Sequence, residues 1–217
     1  MSSNALLAPL RDAAQTLELN LSETQLQQLL DYLGLIQKWN KVYNLTAVRD
    51  PQAMLVQHLV DSLSLVPALR RHLAAQPGQR LMDVGSGGGL PGVVVAICEP
   101  GLDVSCVDAV AKKASFIQQV AAELRLPNLH GLHSRVEALK ALPFDVITSR
   151  AFASLQDFTT LTRQHLKTGA IWLAMKGQHP DEEIAALPQD LRVFHVEQLQ
   201  VPGLDAQRCL IWIKTAA

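Results

Sequence analysis

Leu81-Met-Asp-Val-Gly-Ser-Gly-Gly-Gly-Leu-Pro-Gly92 is the stretch that decides the architecture of this chain. A short apolar run closes on Asp83 and Val84, glycines follow at 85, 87 and 89, and Pro91 opens a second apolar run. That order reads as a strand, a tight turn and a helix start. Glycine reaches positive φ without penalty and lets the main chain approach a ligand with no Cβ in the way. Proline suits a first helical position, where its missing N–H would have had no partner. Such a turn, at the carboxyl end of a first parallel strand, predicts a nucleoside-cofactor site in a doubly wound fold.

Two registers of the loop are open. Counted from Gly87, residues Gly87, Gly89 and Gly92 satisfy the dinucleotide fingerprint G-x-G-x-x-G. Counted from Gly85, where the strand ends, the pattern is G-x-G-x-G with Asp83 two residues upstream. The second version resembles the first motif of Rossmann-like S-adenosylmethionine methyltransferases. Residues 102–108 read as a second strand ending in Asp108. A carboxylate there accepts from ribose hydroxyls in either cofactor class. The competing role for Asp108 is to cap the helix that opens near Ala111.

Outward from the loop, residues 1–74 read as helical. Ser22 and Gln25 form a capping box ahead of an apolar stripe: Leu26, Leu29, Leu30, Leu33, Ile36 and Trp39. Asp50-Pro51 signals another helix start, and Pro77-Gly78 a turn. Strands and helices then alternate: strand 80–84, helix 91–98, strand 103–107, helix 111–125, strand 129–133 and a helical stretch after Arg135. Strand 144–148, helix 154–167 and strand 170–175 complete the parallel part. Residues 191–200 and 208–214 read as an antiparallel pair at the sheet edge. The prediction is an α/β, Rossmann-like domain over residues 77–217, mostly parallel with a C-terminal antiparallel strand pair. An N-terminal helical cap over residues 1–76 precedes it.

The 217 residues are 48% hydrophobic, enough to fill the core of one such domain with an appendage. No signal-peptide pattern opens the chain, and the longest apolar run, near residues 90–98, is too short to span a bilayer. Cys98, Cys106 and Cys209 are odd in number and set in apolar runs, so they read as reduced core residues. A cytoplasmic location is the expectation. The net charge of −1 is unevenly spread: residues 38–80 carry +4 and residues 178–207 carry −5. One positive face, including Arg70 and Arg71, would suit a structured RNA, and an ordinary solvated surface is the plainer reading.

Several separated segments, in order, match a known family. They are Trp39-Asn-Lys-Val-Tyr-Asn-Leu-Thr-Ala-Val-Arg-Asp50, His58-Leu-Val-Asp-Ser62, the loop 83–92, Ser134-Arg-Val-Glu137, Ser149-Arg-Ala-Phe-Ala153 and Met175-Lys-Gly177. Together they resemble the glucose-inhibited division protein B family, the small-subunit rRNA methyltransferases called RsmG. The one departure in the loop is Ser86, where threonine is common. The resemblance implies transfer of a methyl group from S-adenosylmethionine to N7 of a guanine in 16S rRNA (position 527 in standard ribosomal numbering). The acceptor is then naked 16S rRNA or a small-subunit particle, with no membrane partner and no metal.

The resemblance also implies site roles. It carries cofactor contacts onto Gly85 and Leu90 and the adenine onto Val136 and Glu137, beside Asp83, Gly87 and Gly89 of the loop and Asp108 at the ribose from the reading above. A plainer role for Glu137 is as capping-box partner of Ser134. Arg150 is carried over as a contact at the reacting end, acting by position. Guanine N7 has an in-plane lone pair and no proton, so direct displacement needs no general base. Lys41, Asn44, His58, Asp61, Arg70, Arg71 and Lys176 are candidates for the RNA site, each with a structural alternative. Trp39 and Tyr43 offer a stacking face, although Trp39 also continues the leucine stripe. The rivals are a nicotinamide-dependent oxidoreductase using the Gly87 register and a non-catalytic nucleotide-binding module.

Overall fold

A computed structural model describes residues 4–73, 78–150, 152 and 154–216. Pro77 of the expected turn, and Ala151 and Ala153 of the fifth matched segment, lie outside the described residues. The helical part comprises α1 (Asn4–Thr16), α2 (Glu23–Tyr43), α3 (Pro51–Met54), a π-helical turn (Leu55–Val60), α4 (Asp61–Leu63) and α5 (Val66–Leu73). Then come β1 (Arg80–Val84), α6 (Gly92–Cys98), β2 (Asp103–Asp108), α7 (Ala111–Glu123), β3 (Leu129–His133) and a 3₁₀ turn (Val136–Ala138). The chain continues through β4 (Phe144–Ser149), α8 (Leu155–Thr162), a second 3₁₀ turn (Arg163–His165), β5 (Leu166–Lys176), α9 (Asp181–Ala185), β6 (Leu191–Gln198) and β7 (Cys209–Thr215).

The seven strands run in the order β3-β2-β1-β4-β5-β7-β6, the first five parallel and β7 antiparallel to both its neighbours. The order reverses between β1 and β4, which is where an open α/β sheet leaves a crevice at its carboxyl ends. Strand side chains alternate between faces. Leu81, Val104, Val146, Leu173 and Trp212 join one cluster, and Met82, Val107, Ile147, Trp172 and Ile211 join the other.

The first cluster also holds the buried leucines of α1 and α2, including Leu10, Leu29 and Leu33. The N-terminal helices therefore share their core with one face of the sheet, through α6 and α7. The expected capping box is present: Gln25 N–H donates to Ser22 Oγ at 3.2 Å, and Ser22 N–H donates to the Gln25 carbonyl oxygen at 3.0 Å. Asp50 caps α3 through the Ala53 N–H at 2.8 Å, with Pro51 behind it. The three cysteines are buried and unpaired.

Three local expectations are corrected. Helix 154–167 overruns: α8 ends at Thr162 and β5 already begins at Leu166, extending the expected strand by four residues at its start. Thr159 and Thr162 hide that boundary, because their hydroxyls fold back onto the carbonyls of Leu155 and Phe158. The helical stretch after Arg135 is one short turn, and Ser134 does not cap it; its hydroxyl donates to the Arg135 carbonyl. Pro91 stands at the N-cap of α6, one residue before its first helical position.

Candidate functional site

The glycine loop joins β1 to α6 with positive φ at Gly85 (67°), Gly87 (58°) and Gly89 (90°). Nearly all its amide hydrogens are consumed within the protein. The N–H groups of Gly85 and Ser86 donate to the Val107 carbonyl, and those of Gly89 and Leu90 to the Ser86 carbonyl. Gly87 N–H donates to Asp108 Oδ2 at 2.9 Å, and Gly92 N–H, the first of α6, to Asp83 Oδ2 at 2.8 Å. A dinucleotide's pyrophosphate needs loop N–H groups and an open helix N-terminus. Here the loop is closed onto itself and Asp83 occupies the helix start. This geometry disfavours the Gly87 register.

Asp83 was expected to touch the cofactor, and the structure gives it a different place. It is fully buried behind the loop and fastens the loop to α6. Burial pushes its carboxyl up from 3.8 to about 7. The Leu90 side chain is likewise buried in the first cluster, so only its backbone is left to face a ligand. Asp108 ends β2 as expected. It is not the cap of α7, whose N-cap is Val110 with no side-chain bond. Its two oxygens accept from Gly87 N–H and Val110 N–H, with Lys113 Nζ at 3.7 Å. A carboxylate has about four acceptor positions, so two stay open for hydroxyls.

Val136 and Glu137 differ in what they offer. Val136 is buried, and its carbonyl already accepts from His165 Nε2 at 2.7 Å and Leu139 N–H at 3.2 Å. The Glu137 carbonyl accepts from Gln164 Nε2 at 3.0 Å. The Glu137 side chain is exposed, and no acceptor for the N–H of either residue is found among the described residues. The pair therefore presents amide donors beside a carboxylate acceptor.

A second group of residues meets at the same end of the sheet. Gln57, His58, Asp61, Arg150, Lys176 and Arg208 line a cleft of about 350 Å³. The π-helical turn supplies Gln57 and His58, and α4 begins with Asp61. Arg150 follows β4, Lys176 ends β5, and Arg208 precedes β7. Asp61, 2% exposed, accepts from Arg150 Nη1 at 3.0 Å and Arg208 Nε at 2.7 Å. Arg150 Nη1 also donates to the Gln57 carbonyl at 2.8 Å. Lys176 pairs with Glu183 at 2.8 Å. His58 Nε2 lies 2.8 Å from Thr46 Oγ1, and burial, then Arg150, holds its imidazole below the usual histidine range. A neutral histidine beside two cations sharing one carboxylate forms a seat for an anionic or carbonyl-bearing group.

Sequence reasoning brings His58, Asp61, Arg150 and Lys176 to this cleft, and misses Arg208 and the Gln57 carbonyl. The available signal for Arg208 was a lone cation at the mouth of an apolar strand. Lys41 and Asn44 stand elsewhere, exposed at the tip of α2, where Asn44 takes φ 48° as the C-cap. Trp39 is half-buried, packing between Tyr43 (centroids 4.9 Å) and Phe116 (5.2 Å), while Tyr43 stays exposed. The expected positive face is not built from Arg70 and Arg71. Arg70 pairs with Glu99 beyond the last turn of α6, and Arg71 pairs with Glu197 of β6. One ion pair, Arg71–Glu197, thus joins the basic segment to the acidic one, and Arg70 is offset by a carboxylate outside both.

A family model described as rRNA small subunit methyltransferase G matches residues 25–211. The chain is 65% identical over 215 residues to a protein from Acidovorax sp. (strain JS42) named ribosomal RNA small subunit methyltransferase G, covering 96% of this chain and 95% of that one. A protein of the same name from Acidovorax ebreus (strain TPSY) is 62% identical, with 100% and 99% covered. Among solved structures, a SAM-dependent methyltransferase from Aquifex aeolicus superposes with a TM-score of 0.55 at 18% identity, covering 77% of this chain and 94% of that one.

Proposed function

Because the chain belongs to the rRNA small subunit methyltransferase G family, we propose that it methylates N7 of a guanine in 16S rRNA, position 527, in the cytoplasm. S-adenosylmethionine is the methyl donor, a sulfonium whose methyl carbon is electrophilic and whose sulfur keeps the electron pair on transfer. The residues present fit that group. The glycine loop has no side chain to obstruct it, and its closed N–H groups do not demand a phosphate. The buried hydroxyls of Ser86 and Ser149 have no partner among the described residues. Asp108 has acceptor positions open for ribose hydroxyls, and the 136–137 turn offers a donor and an acceptor to the edge of an adenine.

The observation that carries the reading is the arginine pair on Asp61, set at the end of the sheet that bears the glycine loop. Arg150 and Arg208 are braced by a buried carboxylate, so their remaining N–H groups are fixed in direction. Such groups orient a guanine through O6 or hold its phosphate, as arginines do in nucleic-acid recognition. No proton leaves N7, so the cleft needs no base, and His58 faces Thr46 through Nε2. Holding the ring nitrogen in line with the methyl group supplies the acceleration.

The test is methyl transfer by the purified protein to 16S rRNA, offered naked and as a small-subunit particle, with N7-methylguanine mapped by mass. A single modified guanine at position 527 is expected. Transfer to another atom or another RNA would overturn the assignment.

A further inference from the structure

We propose that Tyr32 is a positioning residue for methyl transfer: carried by α2, its phenol sets the conformation of the glycine loop and thereby the affinity for the methyl donor. The inference rests on reading that loop as the donor's seat. Tyr32 is wholly buried, and its hydroxyl donates to the Gly88 carbonyl at 2.5 Å. No other donor to that carbonyl is found among the described residues. Gly88 stands between two glycines at positive φ, in a segment with few side chains of its own to hold it. The same hydroxyl lies 3.2 Å from where a Cβ on Gly89 would fall, so it also borders the next residue of the loop.

The phenol is itself held in place. Its ring stacks on Phe116 of α7 at 6.4 Å between centroids. One turn or two earlier on α2, Gln25 Nε2 donates to the carbonyls of Ile97 and Cys98 at the end of α6. Gln28 Nε2 donates to the Leu124 carbonyl at the end of α7 at 2.9 Å. Thus α2 is registered against the helices that follow β1 and β2, and it holds the loop from there. Phenylalanine would fill the same space; the hydroxyl adds only the bond to the loop. Burial pushes its ionisation well above the tyrosine range, so it stays a proton donor.

Tyr32→Phe tests this, with Leu33→Ala as a comparison that weakens the same helix without touching the loop. Calorimetry with S-adenosylmethionine, thermal unfolding without it, and hydrogen exchange at residues 87–90 are the measurements. Loss of one hydrogen bond predicts a Kd about three- to tenfold higher for Tyr32→Phe. The loop amides should exchange faster, while kcat at saturating donor and KM for RNA stay near wild type. Leu33→Ala should lower the melting temperature with little selective loss of donor affinity. Unchanged donor affinity in Tyr32→Phe overturns the proposal, as does a loss that merely tracks melting temperature in both variants. If the wild type binds no S-adenosylmethionine, the seat reading fails. Exchange then decides: faster loop exchange in Tyr32→Phe supports positioning by the phenol, and unchanged protection overturns it.

Discussion

Gly85 and the two carboxylates bonded to its loop carry separable predictions. At Gly85, φ is 67° and the nearest heavy atom to an added Cβ is Phe152 Cδ2 at 3.9 Å, so conformation rather than space forbids a side chain. Gly85→Val places a β-branched residue in the left-handed region and should abolish donor binding measured by calorimetry, while circular dichroism still reports a folded chain. Asp108→Asn removes the charge and one of two oxygens. It should weaken donor affinity by about 1–3 kcal/mol. It should also cost stability, because the two N–H groups use different oxygens and the NH2 that replaces one of them would face a donor, Gly87 or Val110; intact affinity with lost stability would leave Asp108 a purely structural brace. Asp83 makes a pH prediction. Its carboxyl ionises near its ordinary 3.8 when unfolded and near 7 when buried. Between those values the folded chain holds the extra proton, so stability falls as pH rises through the window. Asp83→Asn keeps an acceptor for Gly92 N–H and should remove that slope, worth on the order of 4 kcal/mol across the window. Parallel urea-midpoint profiles from pH 4 to 7.5 would refute it.

At the scale of elements, periodicity and turn chemistry made the strands and the glycine loop legible. Leu81-Met-Asp-Val could only end where Gly85 begins, and the stripe from Leu26 to Ile36 allowed one helix. The π-helical turn was not legible, because Met54, Leu55, His58 and Leu59 fit an ordinary helical period equally well. Yet that turn sends the Gln57 carbonyl and His58 into the cleft together with Asp61. Arg208 was missed for a related reason: it acts across 147 positions of sequence, through Asp61. Its role is checked by Arg208→Ala, which should lower methyl transfer to RNA at least tenfold with unchanged donor affinity, in keeping with a lost charge-assisted contact of about 1.5–3 kcal/mol. Arg208→Lys should recover little, since an ammonium cannot reproduce a braced planar fork. Full activity of Arg208→Ala would remove it from the site.

For the molecule as a whole, charge along the sequence is a poor guide to charge on the surface. The basic and acidic segments meet at Arg71 and Glu197, so reversing Arg70 and Arg71 to Glu sets like charges beside Glu99 and Glu197. The reversal should lower the melting temperature and leave RNA affinity at low salt close to wild type; a large, salt-sensitive loss of RNA binding would restore these arginines to the RNA surface. Sheet order has another outcome, in the timing of synthesis. Of the seven strands described, β7 is made last, and it lies inside the sheet between β5 and β6. Translation delivers the amino end first. The facing edges of β5 and β6 must wait for Cys209–Thr215 to clear the exit tunnel. A nascent chain halted short of residue 209 carries open strand edges and lacks its finished cleft. An enzyme that modifies ribosomal RNA is therefore expected to wait for β7 to take its place between β5 and β6.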